Sequence, residues 1–461
     1  MQDSTHATHK PHTRLKPSPT PRSTRISGTT PTTVGAVEPD VESPAWLSHT
    51  ERMRELFPAW PDGSPLSAFV SRYLLGRVAG QLNISGRPEV PPRHPVPLDD
   101  DASFVVLDDA DGSVTAAVLA ATTGNVTVYA DFLPHAQRLR EMFGDSRVSV
   151  RPLPGFPPHI SAGLDVRGAR PAKALLTSPK AQAAVADYVA ALRPVVDEFM
   201  VVGRDKHLFR GINAELARGF ERVDVSPGRY KSRMIIGSTP ESGMGFSTAR
   251  IEPHQRTARA DIPGVPDLEV SAYGACFGGP EIDAGSALLL RALAERHAGS
   301  ASSASTSTDE VPAGRPRILD LGCGNGWLLT AAAHVLGARQ AVGADASAAA
   351  LASAELTAEA GMPAGVDWRV EYTDSGEGLP QQAFDVVLLN PPFHAGHEIE
   401  SDTAKRMMRS AHAVLRPGGR VVVVFNSALR YRRELEGLFG QDSVEQWARD
   451  RRFTVLSAVK S

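Results

Sequence analysis

The chain has 461 residues, a formal net charge of −3 and two cysteines. That length allows about three domains, which compositionally biased ends reduce to two. No stretch of eighteen apolar residues is present, which argues against a membrane span; no apolar core with a small-residue cleavage site opens the chain, and two cysteines make no disulfide framework, so a reducing cytoplasm is expected.

The near-neutral total hides local excess. Residues 1 to 36 hold Lys10, Arg14, Lys16, Arg22 and Arg25 against Asp3 alone, and residues 401 to 461 hold twelve Lys or Arg against six Asp or Glu. Such asymmetry suits a polyanionic partner as well as a solvated face. Residues 1 to 45 are rich in Thr, Ser, Pro and His without apolar periodicity, and read as a disordered basic tail.

From Ser64 the pattern becomes regular. Ser64 to Leu75 reads as an amphipathic helix, Phe104 to Leu107 as a strand, Gly112 to Ala121 as a helix and Asn125 to Tyr129 as a strand ending near Asp131. A helix over His135 to Phe143, strands at Val148 to Val150 and Ala174 to Leu176, and a helix over Lys180 to Leu192 follow. Glu198 to Val202 is a strand, Leu208 to Leu216 a short helix and Arg222 to Val225 a strand. This alternation over residues 60 to 240 predicts an α/β domain built on a parallel sheet. Its first strand runs into Asp108, Asp109, Ala110, Asp111 and Gly112, where carboxylates would repel a phosphate. Its fourth apolar run ends in Ser178, Pro179 and Lys180. The domain is expected to have no working site; a basic cluster (Arg204, Lys206, His207, Arg210, Lys231, Arg233) suits RNA phosphates or plain solubility.

Residues 241 to 270, with Pro263 and Pro266, read as a linker. A glycine-rich loop with Gly274, Phe277, Gly278 and Gly279 then leads into Asp283, Gly285, Ser286 and a helix over Ala287 to Leu293. Such a loop can fold over a ligand, with Phe277 packing on it and Asp283 or Ser286 bonding its polar end; Asp283 also suits a helix cap. Gly299 to Gly314 is a Ser, Ala and Thr rich insertion, expected to be a flexible surface loop.

The densest signal begins at Arg317, in the run RILDLGCGNG. Ile318 and Leu319 end a strand, Asp320 follows, and Gly322, Gly324 and Gly326 allow a tight turn against a ligand, with Cys323 filling little space. A GxGxG turn alone is shared by nicotinamide, flavin and S-adenosylmethionine sites. The last is favoured because Asp320, immediately before the turn, suits an ammonium, and Asp345, closing the strand Gln340 to Ala344, suits two ribose hydroxyls. Between them, Trp327 to Leu336 reads as a helix; beyond Asp345 come a helix over Ala348 to Ala360 and a strand over Val366 to Glu371 leading to Asp374, placed to accept from an adenine amine. The run FDVVLLNPPFHAGH completes the set. Phe384 to Leu389 is a strand, and Asn390, Pro391 and Pro392 form a stiff corner at its C-terminal end, where α/β folds bind ligands. Asn390 offers an acceptor for an amine and Phe393 a ring for stacking a planar base. A helix over Thr403 to Val414, a turn over Leu415 to Gly419, a strand over Arg420 to Phe425, a helix over Tyr431 to Phe439 and a closing strand pair, Ser443 to Ala448 and Phe453 to Lys460, follow.

On these motifs the chain resembles the tandem-domain ribosomal RNA guanine N2-methyltransferases, over about residues 60 to 461, and its C-terminal part looks more like the large-subunit enzyme. The resemblance implies two Rossmann-like methyltransferase domains, the first degenerate and the second, 271 to 461, catalytic. It implies S-adenosylmethionine as cofactor and ribosomal RNA, free or partly assembled, as partner, with a monomer expected. It assigns the substrate corner to Asn390, Pro391, Pro392, Phe393 and His394, the cofactor loop to Asp320 through Gly326, the ribose acid to Asp345, and the closing segment to Asp283, Gly285 and Ser286. Gly278 stands where the family usually has serine, and residues 1 to 45 and 299 to 314 have no counterpart. Methyltransferases of adenine N6 or glutamine side chains use similar corners, but the duplicated domain and the Phe-His pair disfavour them. A non-enzymatic RNA-binding assembly protein is disfavoured by the intact Asp320, Asp345 and Asn390 set.

Overall fold

The computed structural model describes residues 43–58, 64–78, 81–84, 97–143, 148–152, 172–240, 251–302, 314–392 and 398–461. Residues 1 to 42, most of the 299 to 314 insertion, and Phe393 and His394 lie outside them. The expected tail ends earlier than residue 45: Ser43 caps a helix whose first residue is Pro44, a position that suits proline because no partner is needed for its missing N–H.

The first half contains α1 (Pro44–Leu56), α2 (Pro65–Leu74), β1 (Asn83–Ile84), β2 (Phe104–Leu107), α3 (Ser113–Ala121), β3 (Val126–Ala130) and α4 (Leu133–Phe143). It continues with β4 (Val148–Pro152), β5 (Ala172–Thr177), α5 (Gln182–Leu192), β6 (Val196–Arg204), α6 (Gly211–Leu216), β7 (Phe220–Val225) and β8 (Ser232–Pro240). The sheet order is β1-β7-β8-β6-β5-β2-β3-β4. The expectation of a parallel sheet holds from β4 to β6 and fails beyond it, where β8, β7 and β1 run antiparallel. The tight turn at Tyr230 and Lys231, both in the left-handed region, joins β7 to β8 directly and leaves no room for a crossover helix.

A two-stranded antiparallel ribbon, β9 (His254–Ala258) and β10 (Leu268–Ala272), replaces the expected linker. Pro263 and Pro266 lie in the connection between its strands, where they cost no ladder bond. Leu268 and Val270 are buried in the core of the second half.

That half comprises α7 (Ala284–Ser302), β11 (Arg317–Leu321), α8 (Trp327–Leu336), β12 (Gln340–Asp345), α9 (Ala348–Gly361), β13 (Asp367–Tyr372) and β14 (Phe384–Leu389). It closes with α10 (Glu398–Val414), β15 (Leu415–Asn426), α11 (Arg432–Phe439), β16 (Val444–Arg449) and β17 (Phe453–Val459). The order β13-β12-β11-β14-β15-β17-β16, parallel up to β15 and antiparallel after it, repeats the β4-β3-β2-β5-β6-β8-β7 order of the first sheet. The expected turn at Leu415 to Gly419 is absorbed into β15 as a bulge. Leu415 pairs with Phe384 and Arg420 with Val386, so extra residues loop out around Gly418, which is left-handed at φ 76°.

Each buried strand sends alternate residues to opposite faces. In the second sheet Ile318, Val386 and Leu388 meet α7 and α8, while Leu319, Leu321, Val387 and Leu389 meet α10 and α11. The β10 edge lies along α9, whose Thr357 and Ser353 hydroxyls accept from the Ser271 and Tyr273 amides at 3.0 Å each. One apolar cluster joins the halves, running from Val105, Leu107 and α5 into Ala348 and Ala349 of α9.

Candidate active site

The C-terminal ends of β11, β12 and β14 adjoin at the middle of the second sheet, where the chain crosses from one side of β11 to the other. After β11, Gly322, Gly324 and Gly326 take φ values of 85°, 54° and 77°, a region open to glycine at little cost. A side chain at Gly326 would run into the α9 backbone, 2.7 Å from the Ala354 Cα. Over Gly324 the space is open, and over Gly322 it is bounded by Met407 and the Asn390 carbonyl. A ligand lying on the glycine turn is therefore brought against the Asn-Pro-Pro corner.

The turn is held by acids and an amide. Asp345 accepts from the Gly324 amide at 3.0 Å and from the Ser347 amide at 2.9 Å. Asn325 donates to the Gly279 and Glu281 carbonyls at 2.9 and 3.0 Å and accepts from the Trp327 amide, so it ties the glycine turn to the 277–283 loop. Its role was not assigned from the sequence; an amide-bearing residue between two glycines of a turn was the available signal. Asp320 is buried, and neither carboxylate oxygen has a hydrogen-bond partner. Burial, reinforced by the charge of Asp345 and only partly opposed by the nearby Leu329 amide, pushes its carboxyl up to about 8. Asp345 is raised as well, again chiefly by burial.

The Asn390 carboxamide is fixed in one orientation. Its Nδ2 donates to Asp283 Oδ2 and to Ser286 Oγ, each at 2.8 Å, across more than a hundred residues of sequence. A carboxylate only accepts, so the amide cannot turn its oxygen that way. Oδ1 is left buried with no partner. Asp283 also accepts from the Ser286 amide at 2.8 Å and so caps α7. The structure thus places Asp283 and Ser286, expected on the cofactor, against the Asn390 carboxamide. Gly285 has to be small there, since a Cβ would sit 3.0 Å from the Asp283 carboxylate.

Other expected residues are placed differently. Asp374 is engaged by the Arg406 guanidinium through two bonds of 2.7 and 3.0 Å and by the Ser375 hydroxyl, so its carboxylate is not a free acceptor for adenine. Arg406 lies on α10, and nothing in the local sequence of Asp374 announced that pairing. Phe277, expected to pack on a ligand, is 76% exposed. Pro391 is buried and Pro392 exposed, while Phe393 lies outside the described residues. Cys276 and Cys323 are both free and buried. Burial and the field of Asp345 push the Cys276 thiol up to about 12 and the Cys323 thiol well above its usual value.

The orphaned Asp320 carboxyl fits an ammonium, the open glycine turn fits a ligand backbone, and Asp345 fits a diol. That set suits S-adenosylmethionine. Residues 267–457 match the Methyltransferase small domain family. The chain is 31% identical to the ribosomal RNA large subunit methyltransferase G of Streptomyces avermitilis over 370 residues, covering 78% of this chain and 87% of that protein. It is 36% identical to the ribosomal RNA small subunit methyltransferase C of Chromohalobacter salexigens over 216 residues, 46% of this chain and 58% of that one. In three dimensions it is similar to the T. thermophilus 16S rRNA N2 methyltransferase RsmC solved with AdoMet and guanosine, with a TM-score of 0.59 at 20% identity over 85% of this chain and all of that one.

Proposed function

Because the chain belongs to the tandem-domain family of ribosomal RNA guanine N2-methyltransferases, we infer that it methylates the exocyclic N2 amine of a guanine in ribosomal RNA, using S-adenosylmethionine. The observation that carries this reading at the site is the buried, unpartnered Asn390 Oδ1, held outward by the bonds its Nδ2 makes to Asp283 and Ser286.

S-adenosylmethionine, when bound, supplies a methyl group already activated on a sulfonium. Asp320 would hold its ammonium, Asp345 its ribose hydroxyls, and the backbone of Gly322 and Gly324 would pass beneath it. The guanine amine is a weak nucleophile because its lone pair is delocalised into the ring. Asn390 Oδ1, and with it the Pro391 carbonyl, accepts the amine N–H bonds and favours the positive charge that grows on nitrogen as the new bond forms. As nitrogen bonds the methyl carbon the methyl–sulfur bond would break, leaving neutral S-adenosylhomocysteine, and the methylated amine then loses one proton to solvent, so no base is needed before transfer. A paired base cannot reach such a corner, so the guanine is unpaired or flipped, and Phe393 is the ring proposed to stack on it.

We propose the large-subunit RNA as the target. The C-terminal stretch resembles the large-subunit enzyme, and the relatives with 31 to 33% identity over most of their length are large-subunit methyltransferases. A cytoplasmic monomer acting on the RNA fits this reading; among the described residues no helix is long and apolar enough to cross a membrane. The test is methylation of deproteinised large- and small-subunit RNA and of both subunits, followed by mapping of the modified nucleotide. N2-methylguanine in large-subunit RNA is expected. Modification of small-subunit RNA alone would overturn the target, and a methylated adenine or glutamine would overturn the reaction.

A further inference from the structure

The turns that follow the second strand of each sheet correspond: Tyr129 stands opposite Leu107 as Ala344 stands opposite Leu321, so Asp131 lies one residue past the position that matches Asp345. In the second sheet the cradle beside that turn is open, because Gly322 carries no side chain. In the first sheet Asp108 makes the corresponding backbone bond, its N–H donating to the Tyr129 carbonyl at 2.8 Å as the Gly322 N–H donates to Ala344 at 2.7 Å. Asp108 also shares the left-handed backbone, with φ 54°. Its side chain fills the space a ligand would need, accepting from the Tyr188 hydroxyl at 2.6 Å and from the Asp131 amide at 2.9 Å.

The Asp131 carboxylate turns to the other half. One oxygen accepts from the Ser347 hydroxyl at 2.6 Å and the other from the Ala349 amide at 2.8 Å. Its carbonyl accepts from the Ala348 amide at 3.0 Å and from the Tyr372 hydroxyl at 2.8 Å, and the Leu133 amide donates to the Ala346 carbonyl at 2.8 Å. Residues 131–133 and 346–349 therefore form a short antiparallel patch, bridged at Phe132 and Ser347. Ser347 is also the residue whose amide holds Asp345 Oδ1. The Ala346 carbonyl and the Ala348 and Ala349 amides are thus held from the first half, while the Asp345 and Ser347 carbonyls accept from Thr373 and Leu351 of the second.

We propose that Asp131 is a positioning residue for the cofactor: an acid in the turn after β3 clamps the turn that carries Asp345 in the second half. The inference rests on the reading that Asp345 takes the ribose hydroxyls. A flexible 345–349 turn would have to be ordered at each binding event, whereas a clamped one is already in place. The effect belongs to cofactor affinity and leaves the methyl-transfer step alone, because the contacts of Asp131 among the described residues run to the 346–349 turn and Tyr372.

The test uses the full chain with Asp131→Ala, Asp131→Asn, Asp345→Ala and, as a stability control in the first half, Val70→Ala, a buried α2 residue away from the patch. Calorimetry gives S-adenosylmethionine affinity, thermal melting gives stability, and single-turnover methylation at saturating cofactor gives the chemical step. Asp131→Ala is expected to weaken affinity about tenfold, the order of one lost charge-assisted hydrogen bond, with the saturated rate within about threefold of the parent. Asp131→Asn, which keeps one acceptor, recovers part of that loss and serves as the variant to read if alanine does not fold. Val70→Ala lowers the melting temperature and leaves affinity unchanged. Unchanged affinity in folded Asp131 variants while Asp345→Ala binds weakly overturns the clamp. Equal weakening by Val70→Ala reduces it to general destabilisation and overturns it too. Unchanged affinity in Asp345→Ala instead sinks the ribose reading beneath it.

Discussion

On the proposed reading two side chains decide what this site can do, and both hold buried oxygens without a hydrogen-bond partner. Asn390 presents an oxygen because Asp283 and Ser286 leave its NH₂ no other place. Asn390→Ala is expected to lower single-turnover methylation about a hundredfold to a thousandfold, with S-adenosylmethionine affinity nearly unchanged; a rate within about threefold would mean that Asn390 only shapes the corner. Asp283→Ala removes the group that enforces the amide orientation. It should lower the same rate about tenfold, while costing about 1 kcal/mol of stability through the lost α7 cap; loss of cofactor affinity with the saturated rate intact would return Asp283 to the cofactor. Asp320, pushed up to about 8, is neutral at pH 7 in the ligand-free chain. An ammonium bound against it needs the carboxylate, so binding strengthens from pH 6 to 8 and releases a proton, detectable by calorimetry in buffers of different ionisation enthalpy and absent in Asp320→Asn. The stability consequence has a definite sign. The unfolded carboxyl ionises near pH 4 and the folded one near 8, so over that window the unfolded state has lost a proton that the folded state keeps, and stability falls as pH rises. Asp320→Asn should therefore melt higher than the parent at pH 8 without ligand, although it binds the cofactor worse.

At the scale of elements, the glycine turn is a set of positions with different duties. Gly326 is left-handed and pressed on the Ala354 backbone, while Gly322 is left-handed with only the end of the flexible Met407 side chain close by. Both alanine variants carry the strain of the left-handed region, about 1–2 kcal/mol. Gly326→Ala adds a clash that only a shift of α9 relieves. It should lower the melting temperature more than Gly322→Ala, whereas Gly322→Ala should cost more cofactor affinity per degree lost; the opposite order would show that the space over Gly322 is not used. The ribbon of β9 and β10 illustrates why its sequence looked like a linker. Its prolines sit between the strands, its first strand is exposed, and the outer edge of β10 is satisfied by hydroxyls of α9 rather than by a third strand.

For the whole molecule, the repeated strand order carries one open cradle and one filled one. Asp108 and Tyr188 occupy the first, so titration of the full chain should give one S-adenosylmethionine per molecule; a second equivalent, surviving Asp345→Ala, would show that the first half still binds. Lys206 and Lys231 of that half are exposed, and the contacts at Asp131 and at Asp187, which accepts from the Gly274 amide at 2.6 Å, join it to the second half.

Local chemistry determined much of this in advance. The strand Phe384–Leu389 and the helix Trp327–Leu336 have the bounds their apolar runs and glycine or proline ends imply, because burial on both faces and a backbone that only glycine adopts leave short-range marks in sequence. The glycine turn, the Asn-Pro-Pro corner and the acid after β12 were legible for the same reason: each needs a particular residue type at a particular place along one short segment. What the tertiary structure alone decided was pairing over long separations. That Asp283 faces Asn390, that Arg406 neutralises Asp374, that Asp131 reaches across to Ser347, and that the chain turns antiparallel after β6 all depend on which surfaces meet once two sheets have packed. A carboxylate reads the same in sequence whether it awaits a ligand, caps a helix or holds a neighbour, and only the groups that folding brings within about 3 Å make the difference.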